Sequence, residues 1–258
     1  ANRCKELSLS NKKLFKTIKI KIPTLDEQIE EFINNNKKYL EKIDLKIPYG
    51  KHSIDNNDVR RVVSVLKGGS LTQGHNIETM EKEVAHYVGA KYAVAVSSAT
   101  AGLHLSYIAL GVNYKKRIVT SPNTFVATSN AAIYCNSEPY FVDICSKTLG
   151  LCPIKLEEKI KKKKDIKFIV PVHFGGLAAN AKRIKKIAKS NRLKIIEDAA
   201  HALGAKYDCG ALVGSCKYSD VTIFSFHPVK ILAGGEGGII TTNNKKIYDE
   251  LLSLRSHG

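Results

Sequence analysis

From Ile47 onward the chain alternates between two hydrophobic rhythms. One recurs every three or four residues and marks amphipathic helices. The other is a short unbroken apolar run and marks a strand buried on both faces. In "IDNNDVRRVVSVLKGG", Val59, Val62, Val63 and Leu66 fall on one helical face, with Asp and Asn caps before them and Gly68-Gly69 after. "NIETMEKEVAHYVGA" repeats the form, with Ile77, Met80, Val84 and Val88 inward and Gly89 as the stop. "KYAVAV" predicts a strand and "TAGLHLSYIALG" the helix after it. The alternation continues through strand "RIVT", helix "FVATSNAAIYC", strand "PYFVDI", helix "PIKLEEKIKKK", strand "IKFIVPVHF", helix "AKRIKKIAKSN" and strand "LKIIEDAA". "DVTIFSF" and "GGIITT" predict two more strands, and "KKIYDELLSLRS" a further helix. The pattern predicts an α/β protein with a mostly parallel central sheet, helices on both faces and short connections.

Residues 1–46 read differently. "PTLDEQIEEFINNNKKYLEKID" spaces Leu25, Ile29, Phe32, Ile33 and Leu40 as one amphipathic helix behind a polar lead. Over a short span, "IKIPTLDEQIEEF" resembles the end of a recognition domain in restriction-enzyme specificity subunits. The expected organisation is an N-terminal extension, 1–46, followed by an α/β unit, 47–258.

Composition narrows the classes. The 258 residues are 43% hydrophobic and 25% charged, enough apolar content for a sizeable core. No apolar run approaches the roughly 20 residues of a membrane span. The first residues are polar and lack the apolar segment of a secretory signal. The absence of an initiator Met and the stop at "LRSHG" lead to the expectation of a fragment. Cys4, Cys135, Cys145, Cys152, Cys209 and Cys216 include no C-x-x-C pair. That argues against zinc or redox use, leaves no metal site to expect, and fits a reducing cytoplasm. The net charge of +17 raises nucleic acid as a partner. The lysines, however, gather in residues 1–46 and 155–194 without interleaved aromatics, as on a solvated face rather than a reading surface.

Ligands of such sheets bind beyond the carboxyl ends of the strands. After "YAVAV", the run "SSATAG" opens a helix with small residues and hydroxyls, which suits a phosphate as well as an ordinary cap. After "RIVTSP", Phe125 stands at a strand–helix junction, either as a core aromatic or as a face for a planar ring. "KIIEDAAHALGA" ends a buried strand with Glu197 and Asp198, and His201 follows. Buried carboxylates need a cation or donors, from a structural salt bridge or from a cationic ring nitrogen. "FSFHPVKILAGGEGG" places Ser225 at a strand end and Lys230 between Pro228 and a glycine-rich turn, an arrangement that can deliver a lysine inward. Lysine is the residue that forms Schiff bases with carbonyls. Together and in this order, the groups fit pyridoxal 5'-phosphate, which needs a lysine, a carboxylate against its ring nitrogen, a phosphate cup and a stacking face.

The motifs "IPYGKHSI", "LTQG", "AVSSATAGLHL", "SPNTFVATSNA", "IIEDAAHALGA", "FSFHPVK", "GEGG" and "LRSHG" span residues 47–258. In combination they resemble the DegT–StrS nucleotide-sugar aminotransferases, a fold-type-I pyridoxal-phosphate group. The spellings "IPYGKHSI", "LTQG" and "FSFHPVK" are most similar to the 4-aminotransferases of the pseudaminic acid pathway. The resemblance implies a fold-type-I large domain here, with the small C-terminal domain missing. It implies that Lys230 bonds the cofactor aldehyde and shuttles a proton, that Asp198 pairs with the ring nitrogen, and that His201 contacts the ring's 3-oxygen. Phe125 would stack on the ring, and Ala99, Thr100 and Ser225 would hold the phosphate. It further implies glutamate as amino donor, a UDP-linked 4-keto-6-deoxy hexose as acceptor, and a homodimer with shared sites. "KILAGGEGG" departs from the family's Thr-rich "K-x-I-T-T-G-E-G-G". Related sugar dehydratases carry histidine in place of the lysine, so Lys230 argues against them. A non-catalytic sugar-nucleotide binder would not need the full lysine, aspartate and phosphate-cup set.

Overall fold

The structure is a computed structural model described for residues 52–146 and 148–257, together with Glu27, Glu30, Glu31, Asn34 and Asn35, which are helical. The remainder of the expected N-terminal helix, and its boundary at residue 46, lie outside the described residues. The chain divides into two units, Ala1–Tyr49 and Gly50–Gly258. The architecture that follows is that of the second.

The elements run α1 (Asn56–Leu66), α2 (His75–Val88), β1 (Tyr92–Val96), α3 (Ala99–Leu110), β2 (Arg117–Thr120), α4 (Ala127–Tyr134) and β3 (Tyr140–Phe141). They continue as α5 (Pro153–Lys162), β4 (Ile166–Val170), a 3-10 turn (Phe174–Gly176), α6 (Ala181–Asn191), β5 (Lys194–Asp198), β6 (Val221–Ser225), β7 (Gly238–Thr242) and α7 (Lys245–Arg255). The strands form one seven-stranded sheet in the order β1-β7-β6-β5-β4-β2-β3. From β3 to β6 every pairing is parallel, and β7 runs antiparallel to both β6 and β1. The expected α/β fold with a mostly parallel sheet is the one observed.

Adjacent strand residues divide between the two faces, as the pleat demands. Ile118, Phe168, Val170, Ile196, Ile223 and Ile240 pack with α3, α4 and α7. Their neighbours Val119, Ile169 and Ile195 pack with α5 and α6, and Phe224 and Ile239 with α2. Helices therefore cover both faces, and the strands are apolar throughout because each position is buried on one side or the other. On this pattern Asp198 falls on the α3–α4 face and Glu197 on the opposite one.

Several expectations need correction. The strand in "PYFVDI" shrinks to two residues, the helix in "FVATSNAAIYC" starts at Ala127, and the strand in "IKFIVPVHF" stops at Val170, before Pro171. A proline there cannot donate to the ladder. Connections are not all short: residues 199–220 join β5 to its parallel neighbour β6 with no helix or strand. That stretch carries neither hydrophobic period and is held by local turns such as Ala202 N–H to Ala199 O (2.8 Å) and Gly210 N–H to Tyr207 O (2.8 Å). Finally, α1 forms with its Asp55–Asp58 capping box, but its apolar face is open: Val62 is 59% exposed and Leu66 64%.

At the other end of the unit, Arg255 of α7 donates to Glu81 of α2 and to the Ala95 carbonyl (3.4 Å), while Ala95 N–H donates to Glu81 (2.8 Å). β1 is an edge strand, and Glu81 satisfies an amide that the sheet leaves unpaired.

Candidate active site

The carboxyl end of β5 carries Glu197 and Asp198. Asp198 is 4% exposed. Its Oδ2 accepts from Thr128 Oγ1 of α4 at 2.6 Å, and its Oδ1 from Ala200 N–H at 3.1 Å. The strand end is braced from β4: His173 N–H donates to Asp198 O and Asp198 N–H to Pro171 O, both at 3.0 Å.

Glu197 points the other way into a closed polar cluster. It accepts from Tyr207 Oη (2.8 Å) and Thr222 Oγ1 (2.7 Å), and His173 Nε2 lies 3.3 Å from it. Ala179 N–H donates to His173 Nδ1 (2.9 Å), and the buried Nε2 lies at ion-pair distance from Glu197 without hydrogen-bond geometry. Burial pushes the Glu197 carboxyl up, but His173 and the hydroxyls of Thr222 and Ser219 outweigh it and hold the group below its ordinary 4.5. A carboxylate depressed on folding stabilises the native state above its unfolded value, and that contribution is lost as pH falls through the folded value. Urea midpoints should therefore fall on acidification below pH 4.5, and Glu197→Gln should flatten that part of the profile. A profile unchanged by the substitution would contradict this reading.

Lys230 lies on the loop that joins β6 to β7. Because β7 is antiparallel, the loop is a hairpin excursion closed at its base by Phe226 N–H to Gly237 O (2.9 Å) and Gly234 N–H to Phe226 O (2.7 Å). Gly235 and Gly237 have φ of 82° and 143°, which L side chains rarely adopt, so the glycine-rich turn is what lets the loop fold back. Lys230 N–H donates to His227 O (2.8 Å), and the side chain turns inward until Nζ sits 2.8 Å from His201 Nε2. Gly175 N–H donates to His201 Nδ1 (3.3 Å), fixing the ring with Nε2 toward the lysine. Burial, and then the charge of Lys230, lower the His201 pKa below its ordinary value; Asp198 opposes them. The structure thus gathers Lys230, His201 and Asp198 at one strand end.

Ala99 and Thr100 open α3. Ser98 caps the helix, its Oγ accepting from Ala101 N–H (3.1 Å) and its carbonyl from Gly102 N–H (3.0 Å). The first-turn N–H groups of Ala99 and Thr100 have no intrahelical acceptor and are available to an anion. Ser225, at the end of β6, is paired in register with Gly238, the first residue of β7. A Cβ at Gly238 would lie 2.6 Å from Ala99 N, so only glycine allows β7 to start this close to α3. Gly238→Ala should cost about 1–3 kcal/mol through overpacking, read as a lower denaturant midpoint. An unchanged midpoint would show that the approach is not tight. Phe125 stands just ahead of α4 with 68% of its surface exposed, so it is not a core aromatic.

Of the residues expected at the site, Lys230, His201 and Asp198 come together, Ala99 and Ser225 both adjoin Gly238, Thr100 follows Ala99, and Phe125 stands just ahead of α4. Reasoning from sequence missed Thr128, His173, Tyr207 and Thr222. The spacing of Thr124 and Thr128, one helical turn apart after a strand, was a signal for the first. The others are brought to Glu197 by three separate segments. Among the described residues, no group of three or more His, Cys, Asp or Glu could hold a metal. No helix among them is long and apolar enough to cross a membrane.

This constellation has counterparts. Residues 52–258 match the DegT/DnrJ/EryC1/StrS aminotransferase family, and the chain belongs to that family. It is 39% identical over 212–213 residues to the spore coat polysaccharide biosynthesis protein SpsC of Bacillus subtilis and to a UDP-4-amino-4,6-dideoxy-N-acetyl-beta-L-altrosamine transaminase of Campylobacter jejuni. In each case 82% of this chain is covered, against 53% and 55% of the relative. The structure of PseC from Helicobacter pylori, an aminotransferase of pseudoaminic acid biosynthesis, superposes with a TM-score of 0.76 at 29% identity, covering 82% of this chain and 56% of that one. The chain spans about half the length of the curated relatives it matches.

Proposed function

We propose that the whole protein is a pyridoxal-phosphate-dependent nucleotide-sugar aminotransferase, with residues 47–258 as its cofactor-binding unit and 1–46 as an extension. The observation that carries this reading is the Lys230 Nζ–His201 Nε2 contact of 2.8 Å at the strand end that also bears buried Asp198. The residues present fit the cofactor: a reachable amine, a carboxylate anchored through both oxygens, and a close Gly238–Ala99 approach beside open helix N–H groups.

When bound, pyridoxal phosphate supplies an electron sink that lets an amino group pass between two carbonyl partners. Lys230 would hold the cofactor through Nζ, and the same atom would hold and move a proton. Asp198 would give the cationic ring nitrogen its counter-charge. His201, whose pKa burial and Lys230 lower, would orient the ring oxygen and the lysine. Ala99 and Thr100 N–H groups and the Ser225 hydroxyl take the phosphate. Phe125, 68% exposed, would cover the ring and exclude water.

The amino donor in this reading is glutamate. The acceptor is a UDP-linked 4-keto-6-deoxy hexose aminated at C4, as in pseudaminic acid-type surface-sugar synthesis. The protein acts as a homodimer in the cytoplasm, a compartment that suits the free thiols of Cys135, Cys152, Cys209 and Cys216. A panel of UDP-keto-sugars offered with glutamate to the whole enzyme, read by mass spectrometry of products, tests the reading. A 4-amino product supports it, and no transfer to any keto-sugar refutes it.

A further inference from the structure

Asp198 does not meet the site alone. Thr128, fully buried on the first turns of α4, donates its hydroxyl to Asp198 Oδ2 at 2.6 Å. That hydroxyl has one hydrogen, and a carboxylate only accepts, so the hydrogen is committed to Asp198. The 2.6 Å contact between Thr124 Oγ1 and Thr128 Oγ1 must then run from Thr124 to Thr128. The two threonines form a one-way relay of hydroxyls ending on the carboxylate, and aligned hydrogen bonds of this kind strengthen one another. The relay is itself held: the Thr128 carbonyl accepts from Tyr107 Oη at 2.9 Å, and Tyr107 is 0% exposed beneath α4. With Ala200 N–H on the other oxygen, each carboxylate oxygen has a donor from the chain.

We propose that Thr128, backed by Thr124, is a positioning residue that sets the orientation of the Asp198 carboxylate toward the cofactor's ring nitrogen. Each carboxylate oxygen retains acceptor capacity for that nitrogen, and the relay decides which way it faces. Thr128 touches neither cofactor nor substrate; it acts through Asp198. The inference rests on the proposed pyridoxal-phosphate reading and deepens it.

The test is a visible-absorbance titration of the whole protein with pyridoxal phosphate, repeated across pH. Thr128→Val keeps the shape and removes the hydroxyl, so a residue that only fills space would tolerate it. Losing a hydrogen bond to a charged group should raise the cofactor Kd about tenfold or more, and Thr128→Ser should bind within about twofold of wild type. The pH dependence of the bound-cofactor band should move in Thr128→Val and not in Thr128→Ser. Should Thr128→Val fail to fold, Thr124→Val, which spares the Asp198 contact, must still shift that pH dependence. Wild-type affinity and spectrum in Thr128→Val, equal losses in the serine and valine variants, or an unshifted Thr124→Val in the second case would overturn the inference. Wild-type protein that takes up no cofactor would overturn the underlying reading and this inference with it.

Discussion

Lys230→Ala should abolish both the covalent hold on pyridoxal phosphate and amino transfer. The hairpin between β6 and β7 presents a single amine at this strand end, 2.8 Å from His201. Alanine leaves the hairpin intact, since the loop is tied by backbone bonds at Phe226, Gly234 and Gly237. Folding should survive while the chemistry goes. The expected readouts are loss of the absorbance band of covalently held cofactor and loss of product from keto-sugar and glutamate. Because the proton carrier is lost as well as the covalent bond, the drop should be at least on the order of a thousandfold. Transfer at a wild-type rate in this variant would refute the assignment.

Asp198→Asn should retain some cofactor and slow the reaction on the order of a thousandfold, because an amide keeps the shape but not the charge opposite the ring nitrogen. Asparagine offers one oxygen, which can keep the Ala200 N–H, while its amide nitrogen faces Thr128, whose hydroxyl must turn to accept; the side chain should remain in place with that contact reversed. The loss should therefore fall mainly on kcat, with a smaller effect on cofactor affinity. Single-turnover rates indistinguishable from wild type would show that another carboxylate faces the ring. Glu197 is a poor alternative, since it lies on the opposite face with Tyr207 and Thr222 already on its oxygens.

Much of this arrangement was legible in the sequence because strand ends are. A run such as "KIIEDAA" states that a buried strand stops at carboxylates, and the cost of burying charge makes such a stop informative. "FSFHPVK" followed by glycines likewise announced a loop with an inward lysine. What could not be read was direction. "GGIITT" is equally good as a parallel or an antiparallel strand, and only the fold shows that β7 returns beside β6 and makes the Lys230 loop a hairpin. Nor does hydrophobic period show which distant hydroxyl meets a carboxylate. Thr128 is 70 residues from Asp198 in the chain, and His173, Tyr207 and Thr222 reach Glu197 from three segments. The connection 199–220 carried no period at all, and the expectation of short loops passed over it. α1 shows the converse. Its valine stripe was read correctly as one face, but a stripe does not say whether anything within the unit covers it.

We propose Lys230 as the amine that holds the cofactor. This is tested most directly by reducing the pyridoxal-phosphate-loaded protein with borohydride, digesting it, and mapping the modified peptide by mass spectrometry. A phosphopyridoxyl group should appear on Lys230 and on no other lysine in stoichiometric amount. A stoichiometric label on a different lysine, or scattered substoichiometric labelling of the surface lysines with Lys230 unmodified, would contradict it.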